Sequence, residues 1–310
     1  MSEHDFSVTR RRLMTLLATT APALGVFHST PAIAASGMNS KVIPKSGERL
    51  PVIGMGTSRT FEAVNDRELM NQLHEVMQVF FDMGGTLIDS SPMYGSAQQV
   101  IGKLLKQVRN SDKLFAATKV WTEGKQEGIE QMEESRQLWG IKRFDLMQIH
   151  NLVDWQTHLE TLKQMKVEGK IRYIGITTSH GRFHSELQRI LRNEPFDFVQ
   201  LTYNIGNLDA EPLLAIARDK GIAVIVNRPY QRGDLFRHVK GKPLPPMAKD
   251  IECGSWGQFF LKYIVSHPAV TCAIPATTRA RHMKDNMQGG VGRLPDANQR
   301  QQMIAYFESL

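Results

Sequence analysis

Eight short runs rich in Val, Ile, Leu and Phe alternate along this chain with segments of helical periodicity, and no other feature limits the fold as much. The runs fall at residues 52–54, 86–89, 114–120, 144–150, 173–177, 198–203, 223–227 and 272–274. Most are continuously apolar, as strands buried on both faces of a parallel sheet must be. Between them, residues 68–83, 97–108, 128–138, 158–168, 184–192, 212–219 and 256–265 read as helices, with Gly84, Gly140, Gly169 and Gly221 where C-caps belong. Eight strand–helix alternations predict an α/β chain folded as one (β/α)8 TIM barrel over residues 37–310. Ahead of the first strand, residues 40–50 read as a β-hairpin turning at Ser46-Gly47-Glu48, which would close the barrel floor.

The competing architecture is a doubly wound dinucleotide-binding fold, which needs G-x-G-x-x-G after its first strand. Gly54-Met55-Gly56 is present, but Arg59 stands where the third glycine belongs, and no Walker A sequence occurs. With 310 residues, 41% hydrophobic and 22% charged, the chain can bury a large core, which excludes fibrous and disordered classes. Past the N-terminus no apolar run approaches the roughly 20 residues a membrane span needs.

Lys and Arg total 38 against 31 Asp and Glu, a net charge of +7, but the basic residues are scattered among acids. Nucleic acid is therefore not expected as a partner, and an anionic small molecule accounts for the balance equally well. Two cysteines, Cys253 and Cys272, exclude a disulfide scaffold and leave either one optional bridge or two buried thiols. His180 and His184 are four residues apart, but no acid or third ligand accompanies them and Gly181 weakens a helix there, so no metal site is expected.

Residues 1–34 have a different character. Thr9-Arg10-Arg11-Arg12 precedes a modestly apolar stretch, residues 13–27, and then Pro31-Ala32-Ile33-Ala34-Ala35, an A-x-A pattern. A basic region, a short apolar region and small residues before a cleavage point describe a signal peptide. As a helix the apolar stretch rises only about 22 Å, too short to span lipid. The paired arginines resemble a twin-arginine export signal. The expectation is a leader recognised by the twin-arginine export machinery, a mature chain beginning near Ala35, and a periplasmic location. A basic N-terminal arm is the plainer reading.

In a barrel of this kind, reacting groups sit at strand C-termini and in the loops that follow. Asp89 ends the second run, Tyr94 follows in the next loop, Lys119 closes the third and His150 the fourth. Singly, each has a plainer role: a helix cap, a rim aromatic, a surface charge, a core imidazole. Together they suit proton donation to a carbonyl during hydride transfer. A phenol with a pKa near 10 is a weak acid at neutral pH. A buried ammonium beside it favours the phenolate, and a carboxylate holds that ammonium charged and in place. Lowering the phenol by about 2 units asks roughly 3 kcal/mol of Lys119. His150 would hydrogen-bond the carbonyl and orient it.

The ordered set Gly54-Met55-Gly56-Thr57, Asp89-x4-Tyr94-Gly95, Thr118-Lys119, Gln148-Ile149-His150-Asn151, Ile174-Gly175-Ile176-Thr177, Val199-Gln200-Leu201-Thr202-Tyr203-Asn204, Ile274-Pro275-Ala276-Thr277 and Asp285-Asn286 resembles the aldo-keto reductases. The resemblance spans about residues 41–310. It implies a (β/α)8 barrel that binds NADPH, sometimes NADH, without a Rossmann fold and reduces a small-molecule aldehyde or ketone to an alcohol, working as a monomer. It assigns catalysis to Asp89, Tyr94, Lys119 and His150.

The same resemblance assigns cofactor contacts to Gly56, Thr57, Gln200 and Arg228. Thr177 and Thr178 stand where the family places a Ser-Asn pair that holds the nicotinamide carboxamide. Asn227 stands where an aromatic residue often stacks on the nicotinamide, leaving Tyr230 or another residue as a substitute. Thr277, Arg279, Arg281, His282, Asp285 and Asn286 match the segment that grips the adenosine; it opens a helix whose free N–H groups suit a phosphate, and the two arginines favour NADPH over NADH. The basic, Pro-rich stretch 231–254 is placed to fold over the pyrophosphate, and Trp121 and Tyr203 to line the substrate mouth. Free NADPH is not expected outside the cytoplasm, so a second reading is an exported nucleotide-binding or redox-sensing module with little turnover.

Overall fold

The computed structural model describes residues 37–179 and 181–310, with Arg182 described by its backbone alone. The leader read at residues 1–34, and His180, lie outside the described residues. The chain opens with an antiparallel hairpin, β1 (Ser40–Val42) and β2 (Arg49–Pro51), and then alternates: β3 (Met55–Gly56), α1 (Arg67–Asp82), β4 (Leu87–Asp89), α2 (Ala97–Leu105), β5 (Phe115–Val120), α3 (Lys125–Trp139), β6 (Phe144–Ile149), α4 (Trp155–Val167), β7 (Ile171–Thr177), α5 (His184–Asn193), β8 (Phe198–Thr202), α6 (Glu211–Asp219), β9 (Ala223–Asn227), α7 (Asp234–His238), α8 (Trp256–Val265), β10 (Cys272–Ala273), α9 (Ala280–Gln288) and α10 (Ala297–Glu308).

Strands β3 to β10 form one parallel sheet in sequential order. A parallel bridge between Ile53 and Ala273 joins its ends, carried by Gly54 N–H to the Ala273 carbonyl (2.9 Å) and Ala273 N–H to the Val52 carbonyl (2.9 Å). The ring is the expected (β/α)8 barrel. Its first strand lies a little later than the apolar run suggested, because residues 52–54 are occupied with closing the ring and residues 55–56 pair with β4.

Side chains alternate across each strand. One set fills the barrel axis: Leu87, Phe115, Ala117, Leu146, Tyr173, Phe198, Ala223, Ile225, Cys272 and Ile274. The hairpin adds Ile43 and Leu50, both at most 2% exposed, to the same cluster, and thereby plugs the floor as the sequence suggested. The other set packs outward against the helices. Helix α1 shows why these form: Asp66 caps its N-terminus by accepting from Leu69 N–H (2.9 Å), and Leu73, Val76, Met77, Phe80 and Phe81 make one buried stripe. Burying each such side chain contributes about 1.5–3 kcal/mol. Helix α3 stops at Gly140, whose φ of 67° lies in the left-handed region that favours glycine.

Cys253 and Cys272 are free, buried thiols, and burial raises both, Cys253 to about 11. Among the described residues no cluster of His, Cys, Asp or Glu suits a metal, and no helix is long and apolar enough to cross a membrane.

Candidate active site

Asp89, Lys119, Gln148 and Gln200 are inward-facing residues at or near the C-terminal ends of β4, β5, β6 and β8, one layer above the apolar axis, and His150 directly follows β6. The Lys119 ammonium donates to Asp89 Oδ2 at 2.6 Å and to the Ser90 carbonyl at 2.7 Å. Asp89 Oδ1 accepts from Gln148 Nε2 (2.9 Å) and Gln200 Nε2 (2.8 Å). The carboxylate therefore has three donors in a site only 2% exposed, which is what a buried charge requires. Burial pushes Lys119 down, but Asp89 and Tyr94 outweigh it and hold the ammonium above its ordinary value.

Tyr94 reaches this charge from the loop after β4. The Lys119 nitrogen lies 5.2 Å from the centre of its ring and acts on its hydroxyl both by charge and as a hydrogen-bond donor. The Tyr94 and His150 rings meet edge to face at 5.9 Å. Burial raises the phenol and Lys119 pulls it back only in part, so the net shift is upward. This reverses the expectation that the ammonium alone would bring the phenol well below 10: the same burial that strengthens the ammonium's field also penalises the phenolate. Tyr94 is thus a fully protonated donor at neutral pH, and Lys119 lowers the cost of the anion it leaves behind. Burial, and then Lys119, lower His150 to about 3, so its imidazole is neutral. Trp121, 42% exposed, leans over His150 at 6.4 Å between ring centres.

This arrangement of phenol, ammonium, carboxylate and imidazole at one end of a barrel has known counterparts. A sequence profile for the Aldo/keto reductase family matches residues 52–301. The chain belongs to the aldo/keto reductase family. It is 26% identical over 261 residues to the methylglyoxal reductase YeaE of Escherichia coli K12, covering 80% of this chain and 89% of that one. It is 24% identical over 305 residues to the L-glyceraldehyde 3-phosphate reductase of the same organism, covering 81% and 87%. Among solved structures, an aldo-keto reductase from Klebsiella pneumoniae in complex with NADPH superposes with a TM-score of 0.73 at 21% identity, covering 87% of this chain and 96% of that one. The holo form of aldo-keto reductase AKR11C1 from Bacillus halodurans gives 0.72 at 20% identity, covering 87% and 96%.

Within this aldo/keto reductase the remaining sequence-predicted residues fall into distinct places. Gly56 and Thr57 are fully buried in the barrel wall. A Cβ on Gly56 would meet the Ile274 carbonyl at 2.8 Å, and Thr57 donates its hydroxyl to the Asp89 carbonyl at 2.9 Å. Both help close the ring and seat Asp89. Gln200 also turns inward: besides Asp89 it bonds Gln148 Oε1 (3.2 Å) and accepts from Asn227 Nδ2 (3.3 Å). Thr177 Oγ1 accepts from the Asn151 N–H (3.2 Å), and the Thr178 carbonyl accepts from Asn227 (3.1 Å). Asn227, at the aromatic-stacking position, thus ties Thr178, Gln200 and Thr202 together. Arg228 follows with φ 46°, half-buried and electrically coupled to Tyr94, Arg232 and Arg59.

Tyr203 is not at the substrate mouth. On β8, Phe198 and Gln200 face the axis, so Val199, Leu201 and Tyr203 face the helices. Tyr203 is 0% exposed, with its hydroxyl on Glu211 (2.5 Å), Tyr263 (3.0 Å) and Arg300 (2.8 Å). Tyr230 packs its ring on Phe236 (4.8 Å) and Phe260 (6.4 Å), and its hydroxyl donates to Asn286 Oδ1 at 2.6 Å. Residues 231–254 are pinned down through Lys242, whose carbonyl accepts from Trp256 Nε1 (3.0 Å), and Pro243, whose carbonyl accepts from Tyr306 (3.2 Å).

At the start of α9, Thr277 Oγ1 accepts from Arg279 N–H (3.1 Å), and no side chain caps the helix. Arg279 and Arg281 are exposed and without a carboxylate partner among the described residues; His282 is pushed down by burial and by both. Asp285 accepts from Ser255 Oγ (2.7 Å) and Gln258 Nε2 (2.7 Å), which anchors this helix to α8. An uncapped helix start flanked by unpaired guanidiniums fits an anionic nucleotide group.

Sequence reasoning gave no role to Gln148 or Ser91. The two-residue period would have placed Gln148 beneath His150; nothing in the sequence marks Ser91.

Proposed function

We propose that this chain is an NADPH-dependent reductase that converts a small aldehyde or ketone to an alcohol. The observation that carries the reading is the Tyr94 phenol set against a buried Lys119 ammonium that Asp89 holds, with the neutral His150 imidazole beside it. The uncapped start of α9, with Arg279, Arg281 and His282, would hold the adenosine end and its phosphate, and the end of β9 with Arg228 would lie nearer the reacting groups. NADPH, when bound, supplies the hydride.

The chain's own residues do the rest. His150 donates a hydrogen bond to the carbonyl oxygen and fixes its direction. Tyr94 gives its proton to that oxygen as negative charge builds there, and Lys119 stabilises the phenolate that remains. Asp89, held by Gln148 and Gln200, keeps the ammonium in place. Trp121 walls the mouth. The two Escherichia coli relatives are named for short oxygenated aldehydes, so the substrate proposed here is of that size.

The test is an aldehyde and ketone screen with NADPH and NADH, methylglyoxal included. Tyr94→Phe should lower kcat at least about a hundredfold while preserving cofactor affinity. Turnover surviving in that variant would overturn the assignment.

Export is part of the reading. The Thr9-Arg10-Arg11-Arg12 sequence and the A-x-A pattern support a twin-arginine leader, cleavage near Ala35 and work in the periplasm. Changing Arg10 and Arg11 to Lys should retain a tagged chain in the cytoplasm; undiminished export would remove this part.

A further inference from the structure

Ser91 connects the two groups that would touch the carbonyl oxygen. It follows Ser90 in the loop after β4 and is 0% exposed. Its carbonyl accepts from the Tyr94 N–H at 3.0 Å, closing the turn that carries the phenol. Its Oγ accepts from the Met93 N–H at 3.2 Å and lies 2.9 Å from His150 Nδ1. The other ring nitrogen, Nε2, has no hydrogen-bond partner among the described residues, while the Tyr94 and Trp121 rings flank the imidazole.

Donor and acceptor accounting then settles the proton. A hydroxyl has one hydrogen to give, and the large majority of buried ones give it to an acceptor within reach. With Met93 N–H already donating to Oγ, the available acceptor is Nδ1 of His150. Were Nδ1 protonated instead, Oγ would receive two hydrogens and its own would be stranded in a dry site, a costly arrangement. A neutral imidazole carries one N–H, so an accepting Nδ1 leaves that proton on Nε2.

We propose that Ser91 is a positioning residue, whose hydroxyl donates to His150 Nδ1 and so holds the tautomer that presents an Nε2–H to the substrate carbonyl. The role of that N–H rests on the carbonyl-reductase reading; the tautomer does not. Through its carbonyl and its hydroxyl, Ser91 also sets the spacing between the phenol and the imidazole that share one oxygen atom of the substrate.

The test labels the full chain with 15N-histidine and reads the ring nitrogen shifts of His150, picked out from the 10 histidines by difference against His150→Gln. The wild type should show a protonated Nε2 and a bare Nδ1. Ser91→Ala should shift His150 toward the Nδ1–H form and lower kcat roughly tenfold, the worth of one neutral hydrogen bond, with NADPH affinity unchanged. A wild-type proton on Nδ1 would overturn the proposal without any variant. So would a Ser91→Ala chain in which either the ring shifts or kcat stay at wild-type values. A wild type that reduces no carbonyl would instead sink the carbonyl-reductase reading, with the ring shifts still deciding the tautomer.

Discussion

Lys119 and Asp89 meet at 2.6 Å with side chains 1% and 2% exposed, so the charge that tunes the phenol has no water to fall back on. The ammonium also donates to the Ser90 carbonyl at 2.7 Å, which brings it no second negative charge. The two residues stand or fall together.

Asp89→Asn therefore strands a buried ammonium, and Lys119→Met strands a buried carboxylate. Each should destabilise the fold by about 3–5 kcal/mol in urea denaturation. The double variant should lose clearly less than the two together, because neither charge is then left alone.

His150 gives stability a pH dependence of known sign. Its folded value, about 3, lies below the ordinary 6.5, so the unfolded chain binds this proton more readily. Its contribution is whole above about 6.5 and is lost as pH falls toward about 3, at roughly 1.4 kcal/mol per pH unit between them. Stability measured from pH 7 down to 4 should fall less steeply in His150→Gln than in the wild type. Parallel slopes would show that this imidazole does not carry the effect.

Tyr203→Phe separates the outer layer from the reaction. It removes a hydroxyl that Arg300, Glu211 and Tyr263 share, and Arg300 is only 8% exposed. The melting curve should shift by the equivalent of about 1–3 kcal/mol, while kcat and KM stay at wild-type values.

Arg281→Ala should weaken NADPH binding about tenfold and leave NADH affinity nearly unchanged, because a guanidinium without an acid partner among the described residues contributes through the extra phosphate. Direct titration of both nucleotides decides it. An unchanged ratio of the two dissociation constants would take Arg281 out of cofactor selection.

The barrel was legible because its strands are short and buried on both faces, so each shows as an apolar run, and Gly84, Gly140, Gly169 and Gly221 mark the ends of four of the helices between them. Asp89, Tyr94, Lys119 and His150 were legible because they close or follow such runs. Tyr203 was misplaced for want of one step of alternation: taken with the motif around Gln200 it looks like a mouth residue, yet the pleat turns it to the helices. The balance on Tyr94 could not be read either, since the ammonium's pull shows in the sequence and the burial opposing it does not. Gln148 and Ser91 act through partners that are 59 residues away, Asp89 and His150 respectively, and it is the pairing of β4 and β6 on either side of β5 that brings them together.

The hairpin that drives Ile43 and Leu50 into the base of the ring joins side chains that already fill its axis. With the floor and the interior both occupied by apolar groups, the polar layer of Asp89, Lys119, Gln148 and Gln200 has only the opposite rim at which to meet a ligand.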